Sequence, residues 1–197
     1  MSYRDLQKKV KELEIELDQL KLEFMDRDSF KKFADNLFNE IGGYSQICIT
    51  GYFSEAVRDS LEMFARNHRL KLISQEFDVN KPRDRKNLEV LRKLCSFGAD
   101  AKVNNRLHAR FLLAHSPEFP VSTNTGLLVI GSFDFNTEGI SKERYDAGIK
   151  TNSPDLVSAA KELFMQMWNE PESLNLNEKC PETSRLKLPK SASLEQF

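Results

Sequence analysis

The sequence predicts an α/β domain, a sheet with helices on its faces, preceded by an N-terminal helix of coiled-coil type. Three observations carry this. Between residues 45 and 98, short β-branched runs alternate with apolar stripes of helical period, the pattern of strands joined by crossover helices. Within residues 1–27, Tyr3, Leu6, Val10, Leu13, Leu17, Leu20 and Phe24 recur at alternating spacings of three and four, an a/d seam flanked by Lys, Glu and Asp. Two later apolar runs, 107–114 and 127–130, are separated by a loop rich in Ser, Pro, Thr and Asn and read as strands.

Taken in order, residues 1–27 contain neither Pro nor Gly and are expected as one continuous helix. Two readings of it stay open: an amphipathic helix lying on its own domain, or a self-association helix of about three heptads. Asp28 or Ser29 can cap a second helix that turns Phe30, Phe33, Leu37 and Ile41 to one side and ends at Gly42-Gly43. Residues 45–50 form a short strand that stops at Gly51. Ser54 caps a helix with Val57, Leu61 and Phe64 inward, and residues 71–77 form a second strand. After the charged turn NKPRDRK, Asp84 caps a helix with Leu88, Leu91 and Cys95 inward, closed by Gly98. Residues 101–103 read as a brief strand and 107–114 as a buried central one, with 115–125 as a surface connection. Residues 146–150 are another strand, and Ser153 and Pro154 start a helix whose apolar stripe is Leu156, Ala160, Leu163 and Met167. Beyond Glu170, large apolar residues are few and prolines frequent, as in a flexible tail. The expected organisation is a heptad helix at 1–27, a domain at 28–170 and a tail at 171–197.

A chain of 197 residues with 40% hydrophobic and 30% charged residues is long enough to bury a core, and its net charge of −1 gives no global attraction for polyanions. Any nucleic-acid site must therefore arise from local clustering. Cys48, Cys95 and Cys180 are far apart and form no Cys-x-x-Cys, which fits a reducing, cytoplasmic setting. The N-terminus lacks the basic tip and apolar stretch of a signal peptide, and no apolar run approaches the ~20 residues of a spanning helix. A soluble protein without membrane association is expected. The histidines, His68, His108 and His115, have no metal-ligand spacing among themselves or with the cysteines, so neither a metal nor another cofactor is expected.

The stretch RLHARFLLAHSPEFPVSTNTGLLVIGSFDFNTEGISKERYD, residues 106–146, concentrates the chemistry. His108 and Arg110 lie two apart at the head of an apolar run, and on a strand they would share a face. The second run ends in Gly131-Ser132 and would deliver Ser132 beside them. This stretch resembles the phospholipase D superfamily, whose signature is His-x-Lys, an Asp five residues later, then Gly-Ser and an Asn shortly after. His108 and Gly131-Ser132 match outright. Arg110 stands for the Lys, His115 for the Asp, and Asp134 for the Asn, or Asn136 if the register slips by two. The intervening loop is longer than is usual, while the closing helix that ends near Trp168 is similar in texture.

That resemblance implies a mixed sheet flanked by helices, a covalent phosphohistidine on His108, and a second copy of the motif to supply the acid. With one copy in the chain, it implies a homodimer whose two His108 side chains face each other across a two-fold axis. Asp146 stands where the family often places the acceptor that sets the histidine tautomer. Ser132 would donate to a phosphate oxygen, and Gly131 would let the backbone pass close to it. Arg110 keeps the cation and can grip phosphate bidentately, though it is not equivalent to Lys. The departures at His115 and Asp134 remove a carboxylate from one place and add one near an anionic substrate.

The chemistry is coherent without metal: a neutral imidazole attacks phosphorus, a cation holds the non-bridging oxygens, and an acid protonates the leaving oxygen. Lone histidines on strands are commonly structural, and the Gly-Ser stretch is what turns the reading toward phosphate. Lys81, Arg83, Arg85, Lys86, Arg92 and Lys93, with Lys102, Arg106 and Arg110, would make a basic track if they share a rim with His108. Lys102, Arg106, Gly131, Asp134 and Asn136 are accordingly the candidate substrate contacts, with His108, Arg110, Ser132 and Asp146 catalytic. The expected function is a metal-independent, nuclease-like phosphodiesterase acting on nucleic acid, DNA first. The alternative is an impaired phospholipase D-like module that binds nucleic acid or a partner protein within a larger assembly. A lipid-directed phosphodiesterase is a third reading, for which the sequence offers no basic amphipathic membrane face.

Overall fold

The apolar stripes and β-branched runs resolve into one mixed sheet whose two faces are covered unequally. A computed structural model describes residues 5, 8, 22–53, 55–67, 69–75, 77–78, 80–116, 126–133 and 146–176. In chain order the elements are β1 (Leu22–Asp26), α1 (Arg27–Asp35), α2 (Leu37–Ile41), β2 (Gln46–Thr50), α3 (Glu55–Arg66), β3 (Leu70–Gln75) and α4 (Pro82–Ser96). They continue with β4 (Asp100–Asn104), β5 (Phe111–His115), β6 (Gly126–Gly131), β7 (Ala147–Thr151), α5 (Pro154–Asn169) and β8 (Leu174–Asn175).

The strands run in the order β1-β7-β6-β5-β2-β3-β4-β8. β2, β3 and β4 are parallel, linked by α3 and α4; the other pairings are antiparallel. Strands returning through helices must be parallel, whereas the shorter links after β5 allow direct reversal. α1 to α4 cover one face, where Phe30, Phe33, Leu37, Ile41, Leu61, Phe64 and Leu91 pack over Ile47, Ile49, Leu70, Leu72, Leu112 and Val129. α5 covers the other, with Ala160 and Phe164 against Cys48, Ile73, Phe111, Leu113 and Leu128.

Several expectations are corrected here. Leu22–Asp26 is a strand, not the end of a heptad helix, and pairs along its whole length with β7. Edge pairing wins because it satisfies backbone groups on both strands and sets Glu23 opposite Lys150, with Lys150 Nζ 3.1 Å from the Glu23 carboxylate. Met25, 1% exposed, enters the core while Phe24 turns outward. Asp5 and Lys8 are helical; the rest of the seam before Leu22 lies outside the described residues, and so does its possible pairing.

Asp26 caps α1 by accepting the Ser29 N–H at 2.8 Å, so neither Asp28 nor Ser29 is the cap. Asp84 is likewise not a cap: α4 starts at Pro82, and the buried Asp84 carboxylate accepts the Asp78 N–H at 2.9 Å, closing the preceding turn. Ser54 lies outside the described residues. The stripe of α5 is rotated: Leu156 and Leu163 are exposed, while Val157, Ala160, Phe164 and Trp168 face the sheet. Gly126 explains the rotation, since it has no side chain and Val157 fills that space. Nor does the domain stop at Glu170. β8 pairs with β4, and Leu176 donates its N–H to the Ala101 carbonyl at 2.9 Å. The stretch 177–197 lies outside the described residues.

Candidate active site at one end of the sheet

Register brings the site together. Thr50 is opposite Phe111, Phe111 opposite Ile130, Gly131 opposite Gly148, and Ala147 opposite Asp26. One end of the sheet therefore collects the exit of β2, the entry to β5, the exit of β6 and the entry to β7. His108 and Arg110 lead into β5, Ser132 follows β6, and Asp146 precedes β7. Arg110 and Asp146, 36 apart in sequence, thus come to the same end of the sheet with only β6 between their strands.

His108 and Arg110 do not sit on a strand, contrary to expectation, because β5 begins at Phe111. The cause is local. β2 ends at Thr50 and Gly51 turns the chain away at φ 139°, so the 107–110 segment has no strand partner on that side. The fully buried Thr50 hydroxyl substitutes for one: it donates to the Ala109 carbonyl at 2.9 Å and accepts the Phe111 N–H at 3.0 Å. On the other side, the Gly131 N–H donates to the Arg110 carbonyl at 3.3 Å.

The Arg110 guanidinium donates to the Ser132 carbonyl at 3.3 Å. Ser132 Oγ donates to Asp146 Oδ1 at 2.7 Å and accepts the Ala147 N–H at 3.2 Å, while the Ser132 N–H donates to the Ala147 carbonyl at 3.1 Å. Arg110, Ser132 and Asp146 thus form one bonded group. A hydroxyl has a single proton, and here it goes to the carboxylate, so donation to phosphate requires Ser132 to release Asp146. Among the described residues, the hydrogen bond of Asp146 runs to Ser132 rather than to His108. His108 is exposed, two residues before Arg110 in the chain.

Two features that fix Ser132 escape sequence reasoning. Phe133, 3% exposed, plunges into the core and stacks on Phe30 of α1, rings 4.2 Å apart and 3° from parallel. Such a pair contributes roughly 0.5–1.5 kcal/mol beyond its buried area. Gly131 and Gly148 then make the room: a Cβ on Gly131 would lie 2.6 Å from the Ala147 carbonyl oxygen, and one on Gly148 would lie 2.7 Å from the Phe133 ring. Gly131 is therefore required by the cross-strand approach as well as by any phosphate contact. The sequence signal was present as two glycines near the two ends of a hairpin, but only register shows that they face each other.

The remaining candidates fall elsewhere. Lys102 Nζ donates to the Trp168 carbonyl at 2.6 Å and lies 5.0 Å from the centre of the Trp168 ring, at the C-terminal end of α5. Arg106 pairs with Glu172 at 3.4 Å. Neither joins the Arg110–Ser132–Asp146 group. His115 lies at the far end of β5, about 17 Å from Arg110 at ~3.4 Å per strand residue. Burial, with Lys161 and Lys71 nearby, pushes its pKa down to about 4, so it is a neutral side chain that does not replace a carboxylate. Asp134 and Asn136 lie outside the described residues.

Of the basic cluster, α4 starts at this same end of the sheet, following the exit of β3, and Arg83 lies 4.6 Å from the centre of the Tyr52 ring just past β2. Arg92 and Lys93 ride three turns further along the helix, away from the site. Among the described residues no helix is long and apolar enough to cross a membrane.

The sequence matches no family model. It matches no curated protein either. Solved structures do share its architecture. Nuc from Salmonella typhimurium, a phospholipase D family member, superposes with a TM-score of 0.56 at 12% identity over 78% of this chain and 95% of its own. NucT from Helicobacter pylori gives 0.52 at 11% identity, covering 79% and 98%. A polyphosphate kinase from Porphyromonas gingivalis gives 0.61 at 18% identity over 77% of this chain, which spans only 26% of that larger protein.

Proposed function

From the premise that this chain has the phospholipase D fold, we propose that it is a metal-independent phosphodiesterase of nuclease type, acting on DNA as a homodimer. The carrying observation is the bonded Arg110–Ser132–Asp146 group, with exposed His108 two residues before Arg110 in the chain, at the sheet end where α4 also presents its basic first turn. The match over nearly the whole length of Nuc, a phospholipase D family member, and of NucT supports a phosphodiesterase of this fold.

In the proposed reaction, a neutral imidazole nitrogen of one His108 attacks phosphorus, forming a P–N bond as the P–O bond to the leaving group breaks. The protonated His108 of the second copy gives its proton to the departing oxygen. Water then attacks phosphorus, loses its proton to that second imidazole, and the P–N bond breaks to restore the first. Arg110 holds the non-bridging oxygens throughout, its fork suiting two of them at once. Ser132, released from Asp146, donates to one as charge accumulates.

Cleavage of labelled single- and double-stranded DNA in excess EDTA, wild type beside His108→Ala, tests this. Turnover by the wild type alone is the expected result; turnover that requires magnesium overturns it. One observation favours a second reading. The Ser132 hydroxyl is already committed to Asp146, as suits a module that binds nucleic acid without cutting it. Tight DNA binding unchanged by His108→Ala, with no turnover, selects that reading.

A further inference from the structure

A cleft between the exit of β4 and the last turn of α5 takes no part in the phosphate chemistry. It measures about 130 Å³ and is lined by Asn104, Arg106, Leu107, Met167 and Glu170. Leu107 directly precedes His108, so the cleft opens one residue from the proposed nucleophile. Sites for drug-sized ligands run to roughly 300–1,000 Å³, so this one suits a single planar ring system. Phosphate is the wrong occupant, because Glu170 is acidic and the Arg106 charge is shared with Glu172.

The lining instead fits a base. Leu107 and the Met167 thioether offer apolar, polarisable surface to an aromatic face. Asn104, 2% exposed, fixes the polar wall: its Nδ2 donates to Glu170 Oε2 at 3.0 Å and to Ser173 Oγ at 2.9 Å, and its Oδ1 accepts the Arg106 N–H at 2.8 Å. Held this way at Oε2, the Glu170 carboxylate that lines the cleft is an acceptor of fixed position. A carboxylate accepts from the exocyclic amino groups of cytosine and adenine, whereas thymine presents a carbonyl oxygen at that place.

We propose that this cleft receives the nucleobase next to the scissile phosphate, and that Glu170 selects bases carrying an exocyclic amino group. This rests on the nucleic-acid reading above. Oligo-dC, oligo-dA and oligo-dT, each fluorescein-labelled, are titrated by anisotropy against protein in the His108→Ala background, which prevents cleavage. Oligo-dC and oligo-dA are expected to bind at least about tenfold tighter than oligo-dT, the lower end of the discrimination from one charge-assisted hydrogen bond. In Glu170→Gln the amide oxygen keeps the bond from Asn104 and the amide nitrogen becomes the group facing the cleft, so the preference inverts toward oligo-dT. Met167→Trp fills the cleft from a half-buried position; it abolishes the discrimination, so all three oligonucleotides bind alike and none more tightly than oligo-dT binds the parent. Equal affinities in the parent protein, or an unchanged preference in Glu170→Gln, overturn the base subsite alone. Failure of all three oligonucleotides to bind overturns both the subsite and the nucleic-acid reading.

Discussion

Thr50→Val isolates what holds the His108–Arg110 segment. The substitution keeps the shape of a fully buried side chain and removes its hydroxyl, which bonds the Ala109 carbonyl and the Phe111 N–H. Both backbone groups lose their partner, and an orphaned buried group costs about 1–3 kcal/mol. Allowing the Ala109 carbonyl some access to water, the sum is about 2–4 kcal/mol. At this chain length each kcal/mol lowers Tm by roughly 2–4 °C, so thermal unfolding should shift down by roughly 4–16 °C. Thr50→Ser keeps the hydroxyl and recovers most of the loss. Where the wild type cleaves DNA, Thr50→Val loses turnover at temperatures at which it is still folded, because the loosened segment carries His108 and Arg110. A Thr50→Val protein that melts with the wild type would refute the reasoning, since the two bonds would then contribute nothing net.

Two further predictions concern the body of the fold. Met25→Ala, at 1% exposure on β1, opens a core cavity and should destabilise by roughly 2–4 kcal/mol in urea unfolding; an effect below about 0.5 kcal/mol, the level of a surface change, would mean that residues 22–26 do not pack as a strand. His115, with its pKa pushed down to about 4 by burial and neighbouring lysines, titrates near 6.5 once unfolded. The unfolded chain therefore takes up the proton first, so the neutral histidine costs nothing above about pH 6.5, and stability is lost as pH falls from there toward 4. His115→Gln should flatten that part of the pH–stability curve, and urea midpoints for both proteins across that window read the difference directly.

Much of the candidate site was legible locally. His-x-Arg before one apolar run and Gly-Ser after the next are short-range patterns, and the two runs are strands because their apolar density leaves few alternatives at that length. The inward faces of α1, α3 and α4 followed equally directly from period 3.6, since Phe30, Phe33, Val57, Leu61, Phe64, Leu88 and Leu91 are all buried. Misreadings arose where two patterns were compatible with one sequence. Leu22 to Asp26 continues a heptad and also suits a strand, and the open edge of β7 decided between them. The stripe of α5 offered two neighbouring faces, and the side-chain-free space at Gly126 selected one.

By itself, the sequence determined most of the elements between residues 27 and 169 and the inward faces of α1, α3 and α4, and it marked His108, Arg110 and Gly131-Ser132 as candidates, because period and composition act within a few residues. Tertiary structure alone decided which of those residues meet. Thr50 bracing residue 109, Phe133 stacking on Phe30, Gly131 facing Gly148 and Ser132 bonding Asp146 all depend on strand register, which is set by pairing across the sheet. Lys102 and Arg106 make the same point in reverse: near the motif in sequence, they are drawn to Trp168 and Glu172 instead. β4 lies three strands from β5, and a chain written in one dimension does not record that distance.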